Sequence, residues 1–336
     1  MAQRRGVLRV IKRSWEEVCA THKIACAVGI KRAIRTFIAK IDIQVMARNG
    51  ENESPAARKR LINKHEVMNT YFEKTFRDFT EAYDYDRPLS DCDPSMKNRI
   101  WICWWQGIEN APDLVKACVS SIQKHAAGHV VTIITEENYR QFVNFPQWVE
   151  DKYQAGMISR TNYSDLLRLS LLAKYGGMWL DATFFCRGAD VNTYFENALW
   201  SIKRPDYKHA SVAGGYFAGY SLCCAYDNRW VFATIRDFFL NYWKENNMLV
   251  DYLLIDYMIV LVQRKDLRIA ELFADIPPNN AGCDELVKIL NKPYDEAIWN
   301  EMTKETYLFK LSWKQNYVME ADGRETFYAK LIKGEL

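Results

Sequence analysis

Ser164-Asp165-Leu166-Leu167-Arg168 and, six residues on, Lys174-Tyr175-Gly176-Gly177-Met178-Trp179-Leu180-Asp181-Ala182-Thr183 decide how this chain is read. Asp165 and Arg168 are three apart, which puts both on one face of a helix otherwise crowded with leucine. Charges on so apolar a helix need partners. They pair with each other and solvate one edge, or they belong to a buried network, or they meet a ligand. Gly176-Gly177 ends the helix and, without a Cβ, lets backbone approach a neighbour or a ligand closely. The apolar strand that follows ends in Trp-Leu-Asp-Ala-Thr. It therefore delivers the Asp181 carboxylate at a strand's C-terminal end, where ligands bind in open α/β sheets.

Outward from this stretch, short apolar runs alternate with helical patterns, the texture of α/β layering. Strands are expected at Arg99 to Trp105, Val130 to Thr135, Met178 to Cys186, Ala198 to Ile202 and Tyr220 to Tyr226. Helices are expected at Pro112 to Ala126, Trp148 to Tyr153, Ser159 to Tyr175, Trp230 to Lys244 and Tyr252 to Gln263. Ser159 and Thr161 are good capping residues for the third of these. The first ninety or so residues read as polar and helical, with a break at the turn formers Asn49 to Pro55 and further helix over Ala56 to Asp84. A second turn-rich stretch, Asp86 to Ser95, divides a helical region (1–95) from the main domain (96–336).

With 336 residues, 49% of them hydrophobic, the chain can bury a full core. A net charge of +3 is too mild to argue for a nucleic-acid partner. The charge is nevertheless uneven: Met1 to Lys40 carries ten Lys or Arg against two acids. Leu8, Ile11, Trp15 and Val18 recur there at helical spacing among the basic residues, which fits a helix resting on an anionic membrane, a partner surface, or an ordinary solvated face. Nine cysteines, five of them within apolar runs, fit a reducing compartment. The absence of Cys-x-x-Cys pairs and the scatter of the five His give a structural zinc site little support. No apolar stretch of about 18 residues, the length a membrane span needs, is found. The expectation is a cytoplasmic protein, peripheral on the inner face of the plasma membrane.

The string Ser-Asp-Leu-Leu-Arg, a helix, then Tyr-Gly-Gly-Met-Trp-Leu-Asp-Ala-Thr resembles the DxD sugar-transferase segment of GT-A glycosyltransferases, especially the capsular polysaccharide synthesis proteins. Yeast mannosyltransferases and the large clostridial glucosylating toxins are their relatives. The strong match spans about twenty-five residues around Asp181. Ile102-Cys103-Trp104-Trp105-Gln106-Gly107 looks like the family's opening strand, and Lys310-Leu311-Ser312-Trp313 resembles its segment near the diphosphate. Together they carry the resemblance from residue 98 onward and leave the leader 1–95 outside it.

The resemblance implies a GT-A fold, a Rossmann-like mixed sheet flanked by helices, carrying a helical N-terminal appendage. It also implies a hexosyltransferase that moves a sugar, with retention, from a nucleotide-sugar donor, UDP-linked by preference, to a glycan or lipid-linked glycan acceptor. Asp165 and Arg168 would hold donor sugar hydroxyls, and Asp181 would contact ribose, sugar or metal. Trp104 would stack on the base, and Trp105, Gly177, Trp179, Thr183, Lys310 and Trp313 would complete the donor site. The sequence departs from the family pattern where the second acid of Asp-x-Asp is Thr183 and where several relatives have a histidine in place of Lys310. Divalent cations prefer hard anionic oxygen ligands, so manganese or magnesium at Asp181 is left open. Lys310, with Lys314, then neutralises the diphosphate, or the two form a solvated face beside Trp313. Asp256, inside an apolar helical run, is hydrogen-bonded structurally or faces the acceptor. The run Tyr216-Phe217-Ala218-Gly219-Tyr220 lines the acceptor pocket, with Tyr216 foremost, or belongs to the core. A toxin-like protein glycosyltransferase and a non-catalytic nucleotide-sugar binder share the same motifs.

Overall fold

The computed structural model describes residues 2–48, 53–188, 191–205, 207 and 211–336, with backbone alone for 2–13 and 47–48. The side chains of Leu8 and Ile11 and the turn formers Asn49 to Asn52 lie outside the described residues.

The described N-terminal part is helical, as its composition predicts: α1 (Ala2–Val28), α2 (Ile30–Arg48), α3 (Pro55–Thr75) and α4 (Arg77–Ala82). Gly29, at φ +94°, separates α1 from α2. The two pack against each other through Ala20, Ile24 and Ala33, and the Lys40–Glu17 ion pair at 2.8 Å joins them. Ser54 caps α3 by accepting from Ala57 N, and Pro55 occupies its first turn.

The layered region follows. Strand β1 (Ile100–Cys103), α5 (Asp113–Lys124) and β2 (Val131–Ile134) lead through the short α6 (Tyr139–Phe142) and α7 (Gln147–Gln154) to α8 (Arg160–Tyr175). Then come β3 (Gly177–Leu180), β4 (Phe184–Cys186), α9 (Asn192–Phe195), β5 (Leu199–Ser201) and β6 (Ser221–Cys224). The helices α10 (Trp230–Glu245), α11 (Leu254–Lys265) and α12 (Leu267–Ala274) precede β7 (Leu308–Lys310). The main sheet is mixed, in the order β2-β1-β3-β6-β5. β1 runs parallel to both β2 and β3, whereas β6 is antiparallel to β3 and β5.

The expected single strand Met178 to Cys186 is corrected to two strands in two sheets. Asp181 N donates to Tyr220 O and Phe184 N to Asp181 O, closing a turn over 181–184 that contains neither Gly nor Pro. Beyond it, β4 leaves the main sheet and pairs antiparallel with β7, Phe184 opposite Lys310. A continuous apolar run carries no mark of such a change of partner, because both halves are fully buried.

Gly177 is needed for packing. Its φ is +87°, and a Cβ there would lie 2.4 Å from the Arg99 carbonyl oxygen, so only glycine lets β3 close on β1. One apolar core joins sheet and helices and takes in Val67, Met68, Tyr71 and Phe72 of α3. Phe72 meets Tyr257 of α11 at 5.5 Å and Tyr242 of α10 at 6.2 Å.

Candidate functional site

Ser159 caps α8 through Asn162 N, and Gly176, at φ +66°, stops it. The helix is thereby phased so that Asp165 and Arg168 face the end of β3. Both are buried, at 5% and 7% exposure. Arg168 lies 3.3 Å from Asp165 Oδ1 and 3.5 Å from Asp181 Oδ1, and it donates to the Gly219 carbonyl. Its guanidinium also covers the Trp179 ring at 5.0 Å. The pair is thus part of a buried network and does not solvate an edge of the helix.

Asp181 follows the last residue of β3 and is half-buried. Its Oδ1 accepts from Trp179 Nε1 at 3.1 Å, and its Oδ2 lies 3.2 Å from Lys310 Nζ. Lys310, arriving on β7, also donates to the Thr183 hydroxyl. Asp181 and Lys310 retain 31% and 22% side-chain exposure, against 7% and 9% for Asp165 and Arg168. Asp181 and Lys310 are therefore the accessible members of the cluster, with the Asp165–Arg168 pair as the support beneath.

Burial pushes the Asp181 carboxyl up, but Lys310 and Arg168, with the Trp179 hydrogen bond, outweigh it and hold the group below its ordinary value. Asp165 is pushed up to about 6 by burial, which Arg168 offsets only in part. Asp256 is pushed up to about 7, by burial and then by the nearby charge of Asp165. It sits against Gly219, where an added Cβ would lie 2.9 Å from its Oδ1 and 3.7 Å from Arg168 Nη1. Asp256 thus belongs to the same cluster. A carboxyl raised on folding stabilises the native state below its unfolded value, about 3.9, and the contribution is lost as pH rises through the folded value. Asp256→Asn is accordingly expected to flatten the decline of stability between pH 4 and 7, read as Tm against pH; an unchanged slope would remove Asp256 from this account.

Trp104 and Trp313 meet edge to face, with ring centroids 5.8 Å apart at 84°. Trp313 is 45% exposed, and the buried Trp104 Nε1 has no hydrogen-bond partner among the described residues. Trp105, the next residue, packs the other way: buried, it donates to the Ser164 hydroxyl at 2.7 Å and lies against Tyr139 and Tyr163. Tyr216 is 57% exposed and lines a hollow of about 590 Å³ with His65 of α3, Arg264 of α11 and Phe273 of α12. Asp165, Asp181 and Lys310 are not among that hollow's walls.

Sequence reasoning missed Arg204, and it placed Gly219 and Tyr220 only within the aromatic run 216–220, not beside Asp181 and Lys310. The Tyr220 carbonyl receives Asp181 N, and the Lys310 ammonium lies 5.6 Å from the Tyr220 ring. Buried Arg204 donates to Tyr220 Oη and pairs with Asp284, bracing that ring from behind. The available signal was Lys203-Arg204, two cations directly after an apolar strand.

The residues do not suit a divalent cation. Among the described residues no three of His, Cys, Asp and Glu gather as a metal-holding group. The Lys310 ammonium already sits between the one carboxylate and the Thr183 hydroxyl that replaces the second. A cation would have to share that position with a fixed positive charge.

Among the described residues no helix is long and apolar enough to cross a membrane. No curated protein and no solved structure matches the chain. The family profile of the capsular polysaccharide synthesis protein does match, over residues 49–331. The match begins earlier than the expected start near residue 98 and takes in α3 and α4, in keeping with the entry of α3 into the common core. The chain belongs to the capsular polysaccharide synthesis protein family.

Proposed function

We propose that this chain is a glycosyltransferase of GT-A type that takes a nucleotide-sugar donor, UDP-linked by preference, and extends a glycan or lipid-linked glycan. The observation that carries the reading is Asp181 at the end of β3, held between Arg168 and Lys310 and partly open to solvent. The anomeric carbon–oxygen bond to the distal phosphate breaks while an acceptor hydroxyl oxygen bonds to that carbon. The hydroxyl proton leaves with the departing nucleoside diphosphate, on the same face of the sugar if the outcome is retention. Negative charge develops on the leaving diphosphate, and an aimed cation in a partly dry site stabilises it strongly. Lys310 supplies that cation, and Asp181 holds the ammonium in place while accepting from a sugar or ribose hydroxyl.

Asp165 and Arg168 act as positioning residues that fix the Asp181 carboxylate. Trp104 and Trp313 offer an edge-to-face corner for the base, and stacking of this kind tolerates different rings. Asp256, half-buried beside Gly219, faces the acceptor side.

The test is a thermal-shift and nucleotide-release screen of the protein with UDP-, GDP- and CMP-sugars, with and without manganese, on wild type and Asp181→Ala. A donor bound at a hundred times its Kd raises stability by about 2.7 kcal/mol. One donor should raise Tm and slowly release its nucleotide, both effects being lost in Asp181→Ala. Binding without release would leave a nucleotide-sugar binder, and no shift with any donor would sink the reading.

A further inference from the structure

Helix α2 is apolar on two opposite sides. Its inner side, Ala33, Thr36, Ala39 and Met46, is buried on the protein. On the outer side Ile30, Ile34, Phe37, Ile38, Ile41 and Val45 recur at helical spacing, and all six are 39–61% exposed. A helix that is hydrophobic all round is normally covered on every side, and scattered single exposures do not produce a stripe of four turns. On the neighbouring helix α1, Trp15 and Val18 are exposed at 68% and 58%.

The charge around this stripe says what covers it. Lys31 and Arg35 are exposed on α2 along one edge of the stripe. Two nearby acids are already engaged, Glu17 with Lys40 at 2.8 Å and Asp42 with Arg60 at 2.6 Å. Residues 1–48 carry eleven Lys or Arg against three acids, a net +8 that leaves the rest of the chain at −5. Two copies meeting by this face would bring together two leaders that each carry a net +8, so self-association is opposed by charge. An apolar stripe edged by free cations on a surface helix is the pattern that seats in the headgroup layer of an anionic bilayer.

We propose that the outer face of α2 docks this protein on an anionic lipid surface, the six apolar side chains entering the acyl boundary and Lys31 and Arg35, which edge the stripe, meeting the headgroups. The helix lies along the surface, about 28 Å of it at 1.5 Å per residue. This contact is distinct from the α1 pattern of Leu8, Ile11, Trp15 and Val18 and stands independently of the sugar chemistry.

The experiment is flotation of the full-length chain with phosphatidylglycerol–phosphatidylcholine vesicles and with phosphatidylcholine vesicles alone. It compares wild type, Ile34→Ser/Ile38→Ser/Ile41→Ser and Lys31→Gln/Arg35→Gln, with far-UV circular dichroism and Tm as folding controls. Wild type is expected on the anionic vesicles only, with binding weakened by salt. The triple serine variant should lower the partition by about tenfold or more, and the glutamine variant should weaken it while keeping the fold. Failure of wild type to float with anionic vesicles, or equal flotation of the serine variant, overturns the proposal. So does a dimer in sedimentation equilibrium that the serine variant dissolves while vesicle binding stays unchanged.

Discussion

Lys310→Met is expected to lower sugar transfer by about a hundred- to a thousandfold, the usual cost of removing one aimed charge-stabilising group from a transfer site. Lys310 is the cation closest to the exposed oxygen of Asp181, at 3.2 Å, and it also engages the Thr183 hydroxyl. In the proposed reaction, without it the diphosphate would leave toward a carboxylate with no counter-charge on its open side. The fold should survive, because Lys310 sits at a partly exposed strand end and its backbone pairing with Phe184 is independent of the side chain. Lys310→Arg should retain a measurable share of the rate by keeping the charge. Transfer assays in a chelator, run beside thermal melts, read the effect. A wild-type rate abolished by chelator, together with a Lys310→Met rate near that of wild type, would mean that the positive charge comes from a metal after all.

The second large effect is on stability. Lys64→Met is expected to destabilise the protein by about 3–5 kcal/mol at neutral pH, the cost of leaving a buried charge without its partner. Lys64 and Asp251 are 1% and 3% exposed and lie 2.8 Å apart. Lys64 also donates to Tyr257 Oη at 2.9 Å, and His65 Nδ1 lies 2.8 Å from the same hydroxyl. This polar knot ties α3 to α11, the helix that carries Asp256. Burial pushes the Asp251 carboxyl up, but Lys64 and Lys40 outweigh it and hold the group below its ordinary value. The stabilisation is therefore fully present above the unfolded aspartate value, about 3.9, and is lost as pH falls through the lower folded value. Denaturant titrations should accordingly show the gap between wild type and Lys64→Met closing in acid. Lys64→Met/Asp251→Leu should recover much of the loss at pH 7, since two apolar groups leave nothing uncompensated. A Lys64→Met cost within about 1 kcal/mol at pH 7 would be too small for a buried pair that matters.

The two effects separate what was legible in the sequence from what was not. α8 was legible to within a residue because its signals are local: Ser159 as cap, leucines at helical spacing, and glycine as the stop. The delivery of Asp181 at the end of a strand was equally legible from an apolar run ending in an acid. Lys310 was singled out through resemblance alone. Its position beside Asp181 depends on β7 pairing with β4 across more than a hundred residues of chain. Trp104 and Trp105 were indistinguishable as neighbours in sequence. Alternation along β1 and its continuation turns one toward Trp313 and the other toward Tyr163.

The sequence by itself determined the α/β layering, the helix that presents Asp165 and Arg168, the apolar strand run that carries Asp181, and an N-terminal region rich in positive charge. Capping, periodicity and composition act over a few residues, and each leaves its mark in the order of amino acids. Only the tertiary structure decided that the run from Met178 to Cys186 divides between two sheets. It alone set Lys310 against Asp181, seated Asp256 at Gly219, buried Lys64 on Asp251 and left the outer face of α2 uncovered. These outcomes depend on which distant segment fills the space beside a residue. Burial, and with it the cost of a charge or the exposure of an apolar stripe, exists only once that space has been filled.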